Sequence, residues 1–291
     1  MPQKCEQRFA PRQISSSAGC REPLLVFLLS ASYSLITNIS IIILPEMEYK
    51  AEKINPYNDN ESKTGQVRQM FDSIAPAYDF MNRCMTMGID KLWRRKAVKI
   101  VGKSRPQHLL DVATGTGDLA IQLCKKLNPA KIVGIDLSEG MLEIGRRKVA
   151  DRGLDQVISL EQGDCLNLRF GEGEFDAVTV AYGVRNFEHL EQGYAEMYRV
   201  LAPGGGLCVV ELSTPTNKFI KFFYDLYTRH IIPFVGRSKS KDARAYSYLP
   251  ESIAAVPQGE AMLQIMRRIG FKQCQAIAMT FGTCSIYVGV K

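Results

Sequence analysis

The segment Asp111-Val112-Ala113-Thr114-Gly115-Thr116-Gly117-Asp118, taken with Asp136 at the end of Lys131-Ile132-Val133-Gly134-Ile135-Asp136, constrains this chain more than any other feature. It reads as a strand, a glycine-bearing turn, a helix, a second strand, and a carboxylate where that strand stops. In a parallel α/β sheet, ligands bind outside the carboxyl ends of the strands, where both elements fall. Gly115 and Gly117 permit a tight turn and let a ligand lie against the backbone. Asp136, about 20 residues on, is placed to accept hydrogen bonds from ribose hydroxyls. The combination describes a nucleoside site.

Gly115 to Ala120 also satisfies the G-x-G-x-x-G/A dinucleotide pattern. Three further features favour S-adenosylmethionine over NAD. Asp111 and Asp118 flank the turn with carboxylates, which suit a cationic ammonium and sulfonium and repel a pyrophosphate. Gly163-Asp164-Cys165 follows a third candidate strand, Val157 to Glu161, where a carboxylate can meet an adenine amino group. Arg199 to Gly206 ends a helix and turns through Pro203-Gly204-Gly205-Gly206 into the strand Leu207 to Glu211. The expected cofactor set is Asp111, Gly115, Thr116, Gly117, Asp136, Asp164 and Cys165. A methyltransferase is the expectation.

The remaining elements fit one Rossmann-like α/β domain over residues 47–291. Helical spacing runs over Val67 to Ile74, and Asp79 to Met87 leads into a polar helix around Lys91 to Val101. Strands Leu109 to Ala113, Lys131 to Asp136, Val157 to Glu161, Phe175 to Ala181 and Leu207 to Leu212 alternate with helices Asp118 to Lys126, Glu139 to Asp151 and Glu191 to Val200. That alternation implies a mostly parallel sheet with helices on both faces. Phe271 to Ala278 and Cys284 to Val290 add a C-terminal antiparallel hairpin, which makes seven strands.

Residues 1–46 stand apart as an extension. Leu24 to Leu44 contains no charged residue and is long enough to span a bilayer, but Ser30, Ser32, Ser34, Thr37, Asn38 and Ser40 dilute it. An anchor or a signal, preceded by Arg8, Arg12 and Arg21, competes with translation from Met47 and an upstream segment that is not part of the domain. The eight cysteines show no CxxC pair and no metal-type spacing with the three histidines, which argues for a reducing compartment and no structural metal. A formal net charge of +7 permits an anionic partner without demanding one.

Beyond the cofactor turn, Tyr78-Asp79-Phe80-Met81-Asn82 running to Leu92-Trp93, then Tyr182-Gly183-Val184-Arg185-Asn186, then Arg199-Val200 through Glu211-Leu212-Ser213, resemble the demethylmenaquinone and ubiquinone C-methyltransferase family, of class I methyltransferase fold. The resemblance covers residues 62–291. It implies S-adenosyl-L-methionine as cofactor and a polyprenylated quinol as substrate, with methylation of a ring carbon. Demethylmenaquinol is the first acceptor it suggests, and a methoxy-polyprenyl-benzoquinol of ubiquinone biosynthesis the second. The chain departs from the pattern at Thr86 and Asp90, where Ser and His are expected, and at Ala181, where serine is common.

A hydroquinone activates its own ring carbon once an oxygen is deprotonated, so the enzyme must supply a base and orientation. Arg185 and Asn186 follow the fourth strand, whose end faces the reacting methyl group in this fold. Arg185, too weak an acid to be a base, suits an electrostatic role toward the quinol oxyanion, with a surface salt bridge as the plainer alternative. His189 titrates in a useful range and is either a proton carrier or a solvated helix start. Tyr78, with Asp79 and Asn82, is either a lid or buried core. The catalytic set is therefore Arg185, Asn186, His189 and Tyr78. Lys218 to Arg244 combines an aromatic, apolar surface with basic residues. It suits an interfacial helix pair or the mouth for an isoprenoid tail, with a homo-oligomer contact or domain cap as alternatives. This implies a cytoplasmic enzyme touching lipid at the inner face of the membrane. Competing functions are a methyltransferase for another hydrophobic acceptor, a cofactor-binding subunit without activity, and an RNA methyltransferase. No RNA-binding module or Asn/Asp-Pro-Pro-Tyr motif supports the last, and no nucleic-acid partner is expected.

Overall fold

The computed structural model describes residues 48–57, 60–228 and 243–291. The extension 1–46 and the basic stretch 229–242 lie outside the described residues, and so do the expectations that fall on them. Among the described residues, no helix is long and apolar enough to cross a membrane.

Five strands, β1 (His108–Val112), β2 (Lys131–Asp136), β3 (Ile158–Gln162), β4 (Phe175–Ala181) and β5 (Leu201–Leu212), pair in parallel. Their apolar residues are buried almost without interruption, as strands covered on both faces require. β6 (Lys272–Met279) and β7 (Cys284–Val290) form the expected hairpin, but β7 slots between β5 and β6, giving the order β3-β2-β1-β4-β5-β7-β6. The order reverses between β1 and β4, so the crevice for a ligand opens at their carboxyl ends.

Side chains alternate between two cores. Leu110, Val112 and Val180 pack with Leu190, Met197 and Met266, from α5 (Leu190–Val200) and α8 (Glu260–Ile269). Leu109 and Val210 point the other way, to Trp93, Ala97 and Leu123 of α2 (Asp90–Val101) and α3 (Asp118–Leu127). α4 (Glu139–Ala150) starts where the Ser138 hydroxyl accepts the Met141 N–H. α6 (Lys218–Leu226) and α7 (Ala243–Ala255) complete the set among the described residues.

Two elements differ from expectation. α1 (Lys63–Thr86) is one continuous helix of 24 residues carrying Pro76 inside it. An interior proline costs about 3 kcal/mol. Burial of Met70, Ile74 and Met81 against Met141 of α4 on both sides of the proline offsets that cost. β5 begins at Leu201 rather than Leu207, because Pro203-Gly204-Gly205 is a bulge inside the strand: Phe175 pairs with Leu201 while Ala177 pairs with Gly206.

Candidate active site

The cofactor turn is built at the end of β1. Gly115 adopts φ +55° and donates its N–H to Asp136 Oδ2 at 2.8 Å, while Ser138 N–H reaches Oδ1 at 2.9 Å. Burial pushes the Asp136 carboxyl up to about 6, against these two backbone donors. Asp111 is 1 % exposed and accepts the hydroxyls of Thr179 at 2.6 Å and Thr114 at 2.7 Å. Burial again dominates and raises it to about 6. Gly183, after β4, allows this turn and that of β1 to meet: a Cβ there would lie 2.6 Å from the Ala113 side chain.

Two cavities meet at this turn. The first, with an empty volume of about 670 Å³, reaches Gly115, Asp136, Asp164, Cys165 and Asn186. The Asp164 carboxylate is held by Leu166 N–H at 2.9 Å, and the Cys165 thiol is pushed well up by burial. The second, of about 370 Å³, continues past Gly115 to Asp111, Thr116, Asp118, Asp79 and Arg94. Thr116 donates its hydroxyl to Asp79 at 2.7 Å, and Lys148 bridges Asp79 and Asp118. Burial raises the Asp118 carboxyl, but Lys148 and Arg94 beside it prevail and hold it below the ordinary range. Gly117 lines neither cavity; its φ of +75° sets the start of α3.

A third cavity, about 1390 Å³ and chiefly apolar, lies under α1, α2, α6 and α7. Tyr78 and Tyr182 line all three, so the cavities adjoin. Burial raises the Tyr78 phenol, with a hydrogen bond to Asn82 and the Arg185 charge acting the other way. Tyr182 holds a left-handed backbone, φ +62°, which costs a non-glycine residue about 1–3 kcal/mol. Its hydroxyl is buried without a partner.

Arg185 enters the apolar cavity from the Val184–Asn186 turn. It is a buried residue, so the surface salt bridge considered above is corrected to a buried pair: Nη1 donates to Glu211 Oε1 at 2.8 Å and to the Tyr182 carbonyl. Its Nε is buried and unpartnered. Asn186 accepts the Tyr248 hydroxyl at 3.1 Å. Lys63 straps the turn from behind, donating to the Arg185 carbonyl at 3.3 Å and to Ala51 at 2.5 Å. His189 is exposed at the start of α5 and lines none of these cavities. Tyr78 and Asn186 therefore join Arg185, and His189 stays apart. Glu211, Arg94 and Lys148 have no role assignable from the sequence alone. Glu211 was legible only as an acid near the end of β5, the strand beside β4, which the Arg185 turn follows.

Residues 58–291 match the ubiE/COQ5 methyltransferase family. The chain belongs to that family. Relatives include the demethylmenaquinone methyltransferases of Bacteroides fragilis, 49% identical over 84% of this chain and 100% of the relative, and of Porphyromonas gingivalis, 45% identical over 82% and 98%. The ubiquinone/menaquinone biosynthesis C-methyltransferase UbiE of Geobacter sulfurreducens is 41% identical over 83% and 94%. Among solved structures, a SAM-dependent methyltransferase from Thermotoga maritima shares the fold, with a TM-score of 0.52 and 17% identity over 77% of this chain and 99% of that one. As a ubiE/COQ5 methyltransferase, the chain has the Rossmann-like class I sheet expected from its sequence, with the N-terminal helices α1 and α2 roofing the site.

Proposed function

We propose that this enzyme methylates a ring carbon of a polyprenylated quinol, with demethylmenaquinol as the acceptor. The observation that carries the reading is the apolar cavity of about 1390 Å³ that adjoins the cofactor cavities and holds the buried Arg185 guanidinium. The relatives at 45–49% identity, named for demethylmenaquinone, favour the naphthoquinol over the benzoquinol. The cofactor is S-adenosylmethionine, and the residues fit it: Asp136 for the ribose hydroxyls, Asp164 for the adenine edge, and Asp111 for the cationic end. Bound there, it supplies an electrophilic methyl group on a sulfonium.

This chain's residues act on the quinol. Glu211 fixes the Arg185 fork, leaving Nε–H free to meet the quinol oxygen as negative charge develops on it. The apolar walls exclude water and strengthen that interaction. Tyr78 and Asn186 position the ring between Arg185 and the cofactor cavity. His189 is exposed and lines none of the three cavities, so it does not meet the quinol hydroxyl directly.

The exposed apolar residues support contact with membrane lipid. Met87 (74 % exposed) and Phe223 (53 %) line the third cavity. Leu92 and Phe281, also exposed, directly precede Trp93 and follow Thr280, two lining residues whose side chains hydrogen-bond each other at 2.7 Å. An isoprenoid tail can leave through this rim into a bilayer at the inner face of the cytoplasmic membrane. Incubation of the purified enzyme with methyl-labelled cofactor and demethylmenaquinol in lipid micelles should yield labelled menaquinol by mass analysis. Label appearing only in a benzoquinol would reverse the choice of acceptor, and label in neither would end the quinol reading.

A further inference from the structure

Arg94 is the one cation lining the smaller cofactor cavity among the described residues. Its side chain is 8 % exposed, on the buried face of α2. Nη2 is engaged by Asp90 and, at 3.3 Å, by Asp118, and the guanidinium lies 5.7 Å from the Tyr182 ring centroid. Nε, however, is buried and has no partner. A buried donor left unmade costs about 1–3 kcal/mol, and native proteins seldom keep one without a use.

The cavity's place decides which ligand group completes it. It shares Ala113, Gly115 and Ala181 with the nucleoside cavity. A nucleoside whose ribose sits at Asp136 therefore extends its 5′ substituent toward Arg94. For S-adenosylmethionine that substituent ends in a zwitterion. Asp111 and Asp118 suit its ammonium, but each repels its carboxylate. Lys148 is already committed to Asp79, Asp118 and Thr116. Arg94 is left as the counter-charge.

We propose that Arg94 binds the α-carboxylate of the cofactor and that Asp90 is the residue that positions it. Asp90 is 1 % exposed, and the Thr86 hydroxyl approaches its Oδ1 at 2.8 Å. The two signature positions at which this chain departs from its family's expected Ser and His are thus one contact. Thr86 steadies Asp90, and Asp90 steadies the guanidinium. The inference rests on the cofactor reading above.

Calorimetry with two probes tests it: S-adenosylhomocysteine and its decarboxylated counterpart, which retains the ammonium. The intact enzyme should prefer S-adenosylhomocysteine by about 10–100-fold, the scale of a charge-assisted hydrogen bond. In Arg94→Met the preference should collapse to within about threefold, with the decarboxylated probe binding as before. Equal weakening of both probes, or no preference in the intact enzyme, overturns the role of Arg94. Should Arg94→Met fail to fold, Arg94→Lys, which keeps a charge opposite Asp90, carries the comparison: a preference reduced about fivefold or more supports the anchor, and an unchanged preference overturns it. Failure of S-adenosylhomocysteine to bind the intact enzyme at all would instead sink the cofactor reading itself.

Discussion

Glu211 Oε1 accepts a 2.8 Å hydrogen bond from Arg185 Nη1, and the two side chains are 2 % and 7 % exposed. A buried pair of this kind is strained by removing one partner, which costs about 3–5 kcal/mol, and much less by removing both. Stability and catalysis can therefore be separated at this site. Arg185→Met should lower the melting temperature sharply, while Arg185→Met with Glu211→Leu restores most of it. Neither should methylate quinol. Thermal unfolding beside a turnover assay checks this; recovery of activity in the double variant would remove Arg185 from the chemistry.

Arg185→Lys keeps the charge but not the planar fork, so turnover should fall about 10²-fold, the scale of a lost oxyanion donor. The affinity for S-adenosylhomocysteine should hold, since Arg185 does not line the two cofactor cavities. Turnover within a few-fold of the parent enzyme would reduce the pair to a structural one.

Cofactor binding should weaken in mild acid. Burial holds Asp111 and Asp136 at about 6, above the ordinary carboxylate value of about 3.9. The folded apo protein therefore keeps protons that the unfolded chain has lost. The stability from this source is complete below about pH 3.9 and is lost as pH rises through about 6. Binding runs the other way, because the cationic end and the ribose need both groups ionised. The dissociation constant for S-adenosylhomocysteine should rise about tenfold per pH unit for each protonated group below pH 6. Asp136→Asn should weaken binding by about 1.5–3 kcal/mol at neutral pH and flatten the profile by one proton. A profile flat between pH 5 and pH 7.5 would contradict the raised carboxylates.

The sheet and the cofactor turn were legible because both are local. Alternating apolar strands and helices, two glycines and an acid at a strand end fix Gly115 and Asp136 without any long-range contact. The roof was harder. The sequence reads as two segments, Val67 to Ile74 and Asp79 to Met87, whereas the structure joins them across Pro76 into α1, with Met70, Ile74 and Met81 buried in one cluster with Met141. The partners of the site residues were not legible at all. Arg185 and Glu211 are 26 positions apart, and Asp79 and Lys148 are 69 apart. These pairs exist only once β4 lies beside β5 and α1 crosses α4.

The apolar rim should decide lipid association. Leu92→Asp with Phe281→Asp places two charges where side chains 54 % and 78 % exposed now face outward. Each large apolar group contributes about 1.5–3 kcal/mol when fully buried, so flotation with anionic vesicles should fall about tenfold or more. Activity on a short-chain, water-soluble quinol should stay near the parent level. Unchanged flotation would contradict lipid contact at this rim, and loss of a dimer in its place would assign the surface to a second copy.

The central claim is that the methyl group goes to a ring carbon of a reduced quinone. The direct test offers the enzyme methyl-labelled cofactor with demethylmenaquinol under reducing conditions, and with demethylmenaquinone under oxidising ones, then locates the label by tandem mass spectrometry. Only the quinol carries a ring carbon activated by its own hydroxyl, so the account predicts a carbon-methylated naphthoquinol from the reduced arm and none from the oxidised arm. Label on a quinol oxygen, or equal transfer in both arms, would contradict it.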